Sequence, residues 1–262
     1  MPHWIYVLDV ACEGLVAQVT LNDIDVFNEW EGRARQFQAK LNPYIVEGSN
    51  RLELSVAPMT DDEGRALEVP RAITVKLIAG EHGSEPGPQG VVATFRWDEA
   101  TMPVPPGELA SVWGRQFTVI PERAFGRWVW QDAPDAPPVE ADARALVALA
   151  GEVHAALVAK DVDALLSLTA LKSQELARAL DVPVSEIDEG QRELFDGLFA
   201  DPTWRVAPFD PSQLAAVPCA EGRMVRVTDA SGAPPLVAAT DEQPFAFGFL
   251  AARYSGRWTI VR

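Results

Sequence analysis

The sequence predicts two domains: an all-β antiparallel sandwich, then an α+β domain in which helices pack on a curved antiparallel sheet. Three observations carry this. An acidic, proline-rich break runs from Gln131 to Glu140 (QDAPDAPPVE). Before it, apolar residues alternate and Gly, Pro and Asn turns recur, as in β-rich chains. After it, apolar residues recur at helical spacing and then return to alternation. The expected boundaries are residues 1–131 for the sandwich, 132–140 for the linker and 141–262 for the α+β domain.

In the first half, residues 4–10 are strand-like and residues 11–14 form a turn. Leu15, Ala17, Val19 and Leu21 then share one face, because side chains in a strand alternate with period two. Asn22-Asp23 signals a turn, and Ile24, Val26 and Trp30 carry the chain onward. Over residues 51–57, Leu52, Leu54 and Val56 point one way while Arg51, Glu53 and Ser55 point the other, as in a sheet with one buried face. Ile73/Val75/Leu77, Val91/Ala93/Phe95/Trp97 and Phe117/Val119 repeat the pattern, and residues 127–130 are expected to close the domain with Trp128 and Trp130 on a common face. Seven or eight short strands make an antiparallel sandwich. Trp97, Trp113, Trp128 and Trp130 are weighed as a platform for stacking on sugars, against the plainer reading of sandwich core.

The order Val19–Asn22, Val26, Gly32 and then the run Tyr44–Val56 (YIVEGSNRLELSV) resembles the jelly-roll sugar-binding-type domain that accompanies many β-glycosidases. Those domains carry an Asn-Gly turn and a Gly-x-Asn-x-Leu-x-x-x-Val strand; here Asn22-Asp23 stands in place of Asn-Gly. The likeness spans about 40 residues of turn and packing positions, and implies a fold more than a function.

In the second half, Asp142 precedes a helix over residues 143–160 whose Leu146, Leu149, Val153 and Leu157 form one stripe. Asp161 or Asp163 caps a second helix, with a break expected near Thr169. Ser185 and Asp188 resemble a capping box opening a third, with Leu194, Phe195, Leu198 and Phe199 as its apolar face and Asp201-Pro202 as its end. Strands follow at residues 204–206, 224–228, 244–254 and 257–262, and Phe245, Phe247 and Phe249 form a face broad enough to cover the helices. Helices first, then a bent sheet ending in Gly256–Arg262 (GRWTIVR), resemble the ketosteroid-isomerase-like cone fold, shared with a nuclear transport factor and polyketide cyclases. Enzymes of that superfamily place a carboxylate base and Tyr or Asp proton donors in the cone mouth. No residue here maps onto those positions, so no catalytic residue is assigned.

The formal net charge is −16, and acidic residues exceed basic ones in both halves. Neither half offers the basic stripe that phosphates require, so nucleic acid is not an expected partner. A basic protein surface or a small ligand is, the former as immunity proteins cap toxic nucleases. No apolar run approaches the ~20 residues that span a bilayer. The opening Met1–Val10 run lacks a basic n-region and is broken by Asp9 and Glu13, so it reads as a strand and the cytoplasm is the expected address. Cys12 and Cys219 lie far apart without a CxxC pair, which fits idle thiols and neither a disulfide framework nor a zinc site. No metal ligand set or cofactor is expected.

Asp61-Asp62-Glu63 reads as a solvated turn, and residues 80–90 as a glycine-rich loop whose two glutamates disfavour phosphate. Three candidates for ligand contact remain: His154 beside the stripe of the first helix, Trp204 just after the third, and Tyr254 in a late strand. The expected function is non-catalytic binding through acidic surfaces. The alternatives are a ketosteroid-isomerase-like enzyme with His154 as acid/base, requiring a pocket between helices and sheet, and carbohydrate binding by the sandwich.

Overall fold

Asn22 and Asp23 both adopt left-handed backbone, φ 53° and 62°, and so fold β2 (Leu15–Leu21) back onto β3 (Ile24–Glu29). Two-residue hairpins of this twist need positive φ at both central residues, which Asn and Asp tolerate better than other non-glycine residues. The computed structural model describes residues 4–83, 90–134 and 140–262. Residues 84–89 of the glycine-rich loop and 135–139 of the linker lie outside the described residues. The chain divides into two units, Met1–Arg127 and Trp128–Arg262.

The first unit is all β. β1 (Trp4–Glu13), β4 (Arg35–Lys40), β6 (Ala72–Glu81) and β7 (Val91–Trp97) form one sheet in the order β4-β1-β6-β7. β2 and β3 join β5 (Gly48–Pro58) and β8 (Ala110–Val119) in a second, ordered β3-β2-β5-β8. Neighbours in both are antiparallel. The alternation decides which side is dry: Leu15, Ala17, Val19, Leu21, Leu52, Leu54, Val56, Ile73, Val75 and Leu77 are all wholly buried. Each such Leu, Ile or Val contributes roughly 1.5–3 kcal/mol relative to exposure.

The polar residues of the run over residues 44–56 lock turns. The buried Asn50 carboxamide donates to the carbonyls of Val46 and Gly48 and accepts from Val46 N–H and from Asn22 Nδ2. Asn22 Oδ1 accepts from Arg51 N–H at 2.9 Å, tying the β2–β3 hairpin to β5. Gly14 holds φ +66°, and a Cβ there would lie 2.1 Å from the Pro70 carbonyl oxygen, so the turn after β1 admits no side chain.

The sugar platform is corrected. Trp97 is buried and its Nε1–H donates to the Met102 carbonyl, while Trp113 is half-buried and stacks on Phe95 at 5.3 Å. Trp128 and Trp130 are buried and belong to the second unit. The strand expected at residues 127–130 is a 3-10 turn over Val129–Asp132. The Gln131 side chain accepts the Trp128 N–H at 2.8 Å, satisfying locally a donor that a strand would offer to a neighbour. The boundary therefore falls at Arg127/Trp128, ahead of the expected 131/132.

Among the described residues of the second unit, α1 (Glu140–Ala159), α2 (Val162–Leu180) and α3 (Val184–Ala200) precede seven strands. β10 (Leu214–Cys219), β11 (Met224–Asp229), β14 (Phe249–Tyr254) and β15 (Arg257–Ile260) form one antiparallel sheet in the order β10-β11-β14-β15. β9 (Arg205–Val206), β12 (Leu236–Ala239) and β13 (Pro244–Phe247) form another, ordered β13-β12-β9. One core joins helices and sheets: Leu146, Ala150, Val153, Leu165, Phe195 and Leu198 pack with Val225, Val227, Phe249, Ala251 and Ile260.

Asp161 caps α2 as expected, its carboxylate accepting Ala164 N–H at 3.0 Å. Four local expectations change. α2 runs through Thr169, whose hydroxyl donates back to the Leu165 carbonyl and fills its hydrogen-bond need inside the helix. α3 starts with Pro183 at its cap, leaving Ser185 inside the first turn. α1 starts before Asp142, whose buried carboxylate instead accepts from Arg253 and from Trp258 Nε1 at 3.1 Å. The strand expected over residues 244–254 is divided at Gly248 into β13 and β14, which belong to different sheets.

Candidate functional site

The space between helices and sheets is filled by aromatic rings. Phe195 and Phe199 of α3 stack at 5.7 Å; Phe199 meets Trp204 edge-on at 5.3 Å; Trp204 meets Phe245 at 5.8 Å; Phe195 lies 6.1 Å from Phe245 and 6.5 Å from Phe247. Such offset and edge-to-face pairs stabilise beyond the area they bury.

Trp204 is part of that cluster. It is buried, and its Nε1–H donates to the Leu157 carbonyl of α1 at 3.4 Å. His154, also on α1, is half-buried, with Nε2 2.9 Å from the Ala207 carbonyl and its ring 5.8 Å from Phe209. A carbonyl oxygen only accepts, so Nε2 carries the proton of that bond. Both side chains thus pin α1 to the segment that follows α3.

Tyr254 is 45% exposed and lies in a different place. It lines a shallow cleft of about 280 Å³ with Val129, Asp132, Pro134, Arg253, Ser255 and Gly256. Arg253 in that cleft is engaged by Asp142. The structure therefore seats His154 and Trp204 against the same stretch of chain and leaves Tyr254 apart.

A buried ionic cluster escaped the sequence reading. Glu175 and Arg262, 4% and 8% exposed, pair at 2.5 Å. Glu175 Oε1 also accepts the Val129 N–H at 2.6 Å. The guanidinium carbons of Arg178 and Arg262 lie 4.4 and 5.0 Å from the Trp128 ring centroid, a cation–π arrangement with one indole between α2 and the chain's last residue. The buried residues of α2 include the polar Thr169 and Ser173 as well as Glu175, so the helical spacing did not single Glu175 out.

The outward face of α3 is the most acidic helical surface. Glu186, Glu189, Glu193 and Asp196 are exposed there. Arg192 on this helix pairs with Asp163 at 2.5 Å.

Among the described residues no group of three His, Cys, Asp or Glu side chains is placed to hold a metal ion, and no helix is long and apolar enough to cross a membrane. The fold defines an all-β unit of two antiparallel sheets followed by a unit of three helices packed on antiparallel sheets. No protein-family model matches the chain, and no curated protein or solved structure shows significant similarity to it.

Proposed function

We propose that this is a cytoplasmic, non-catalytic binding protein that recognises a basic partner surface through its acidic faces. The observation that carries the reading is the solvent face of α3, where Glu186, Glu189, Glu193 and Asp196 are exposed together. Charges displayed this way raise encounter rates with a cationic surface. On this reading the second unit is a cone-like module used as a binding platform, and the first a jelly-roll-like scaffold. Two buried cysteines outside any disulfide suit a reducing compartment.

The test is affinity purification of the tagged full chain from its own organism at low and high salt, with native mass spectrometry of what is retained. A stoichiometric basic protein, lost at high salt and lost with Glu186→Lys/Glu189→Lys/Glu193→Lys, is expected. Salt-insensitive retention, or retention by the triple variant, would overturn the assignment. A retained small molecule would return attention to His154 and to the Tyr254 cleft.

A second reading, carbohydrate binding by the first unit, is favoured by Trp30, 55% exposed just after β3. Glycan titrations that leave the fluorescence of wild type and Trp30→Ala equally unchanged would remove it.

A further inference from the structure

The cleft at Tyr254 is walled by two short, fixed pieces of chain, both in the second unit. Val129, Asp132 and Pro134 of one wall come from the 3-10 turn over Val129–Asp132 and the residues just after it. That turn is tied down three times. The Val129 N–H donates to Glu175 at 2.6 Å, the Gln131 side chain accepts the Trp128 N–H, and the Gln131 carbonyl accepts from Arg223. Arg253, Tyr254, Ser255 and Gly256 of the other wall form the end of the β14–β15 hairpin, closed by a two-residue turn with φ 51° at Ser255 and 80° at Gly256. Arg253 is held by Asp142 through Nη2 and lies 5.6 Å from the Trp258 ring centroid. Among the described residues it makes no other hydrogen bond, so most of its five N–H donors remain for a ligand. Asp132 is an exposed carboxylate in the same cleft, and the ion pair of Arg253 is with Asp142, not with it. Asp132 has other interactions in the fold, and a carboxylate with about four lone-pair sites accepts a further donor.

We propose that this cleft binds a small zwitterion, a free α-amino acid with an apolar side chain. The ligand class follows from what lines the cleft. A guanidinium with unused donors takes a carboxylate, and a carboxylate that is not spent on that guanidinium takes an ammonium. Val129, Pro134 and the Tyr254 ring, 45% exposed, supply apolar surface for the ligand's side chain. A volume of about 280 Å³ lies at the small end of ligand clefts, which run from roughly 300 to 1,000 Å³, so the ligand is small. Both walls are fixed before binding, and little ordering is left for the ligand to drive. α3 contributes nothing to the lining, so the site stands apart from the acidic surface of that helix.

The test is titration of the full chain with L-phenylalanine, with 3-phenylpropionate, which lacks the ammonium, and with 2-phenylethylamine, which lacks the carboxylate. Binding is read by calorimetry and by NMR shifts of the residue 253–256 amides. L-phenylalanine is expected to bind saturably and to move those amides, and each truncated probe to bind at least about tenfold more weakly, the loss of a charge-assisted interaction. Asp132→Asn should weaken L-phenylalanine by a similar factor while leaving 3-phenylpropionate unchanged. Tyr254→Ala removes an exposed side chain and should weaken L-phenylalanine too, which keeps the comparison open if Asp132→Asn unfolds. Glu186→Lys/Glu189→Lys/Glu193→Lys should bind L-phenylalanine as the wild type does, so loss of the basic partner and loss of this site are separate results. No saturable binding of L-phenylalanine, equal affinity for all three probes, or binding unaltered in Asp132→Asn and Tyr254→Ala would overturn the proposal.

Discussion

Arg262 Nη1 lies 2.5 Å from Glu175 Oε2, and both side chains are withdrawn from solvent, so the last residue of β15's segment is bonded to the middle of α2. A buried pair of this kind has weak net worth when intact, because two ions have lost their hydration. It is costly to break, because one of them is then left alone. Glu175→Ala should therefore destabilise the second unit by about 3–5 kcal/mol. Replacing both partners with Leu and Met should cost much less. Urea unfolding of the two variants measures the difference, and equal losses would mean the pair is not coupled.

Trp128 is wholly buried between Arg178 and Arg262 although it directly follows the first unit in sequence. Trp128→Ala should cost about 3–5 kcal/mol, the range for emptying a large aromatic site. Its effect should fall on the transition of the second unit. Hydrogen exchange of α2 and β15 amides reports this, and increased exchange confined to β2 and β5 would contradict the unit assignment.

Asn50 makes four hydrogen bonds from one buried carboxamide. Asn50→Ala leaves the Val46 N–H without its acceptor and should destabilise the first unit by at least about 2 kcal/mol. Asp at this position keeps the acceptors and loses the donors to Val46 and Gly48, so it should not rescue. Thermal unfolding distinguishes these outcomes.

Asp201, Asp210 and Asp229 each accept from the hydroxyl and backbone N–H of the Ser or Thr two residues on, which holds their carboxyls below the ordinary value of 3.8. A depressed folded-state value means that the stabilisation is fully present above the unfolded value. It is lost as pH falls through the folded one. The second unit should therefore lose stability as pH drops below 3.8. Asn at the three positions keeps the acceptor oxygen and removes the titration, so the acid limb should flatten. An unchanged limb in denaturant midpoints against pH would show that other carboxylates dominate.

Burial, with Glu29 and Glu13 nearby, pushes the Cys12 thiol up to about 12. The thiolate is the reactive form, so Cys12 should resist iodoacetamide at neutral pH in the folded protein and react after unfolding. Mass spectrometry of the alkylated peptides gives the answer directly.

The alternation of Leu15–Leu21, of Leu52/Leu54/Val56 and of Ile73/Val75/Leu77 was enough to place the dry face of the first unit. The helical stripe of Leu146, Val153 and Leu157 did the same for α1. Those are short-range periodicities, and one buried face makes them unambiguous. What failed were residues whose role depends on partners far along the chain. Trp128 reads as a strand residue by spacing, yet its place is set by Arg178 and Arg262, 50 and 134 positions away. Asp142 looks like a cap because it precedes an apolar stripe, yet Arg253 and Trp258 claim its carboxylate. The continuous run Phe245, Phe247, Phe249 holds its inward face across Gly248, but which sheet each half joins was decided by pairing with β12 on one side and β11 on the other. Local propensity and periodicity determined the elements and their buried sides. The ionic cluster at Glu175 and the filling of the helix–sheet interior by aromatic rings were decided only by tertiary structure, because each depends on which distant side chains share the same low-dielectric space.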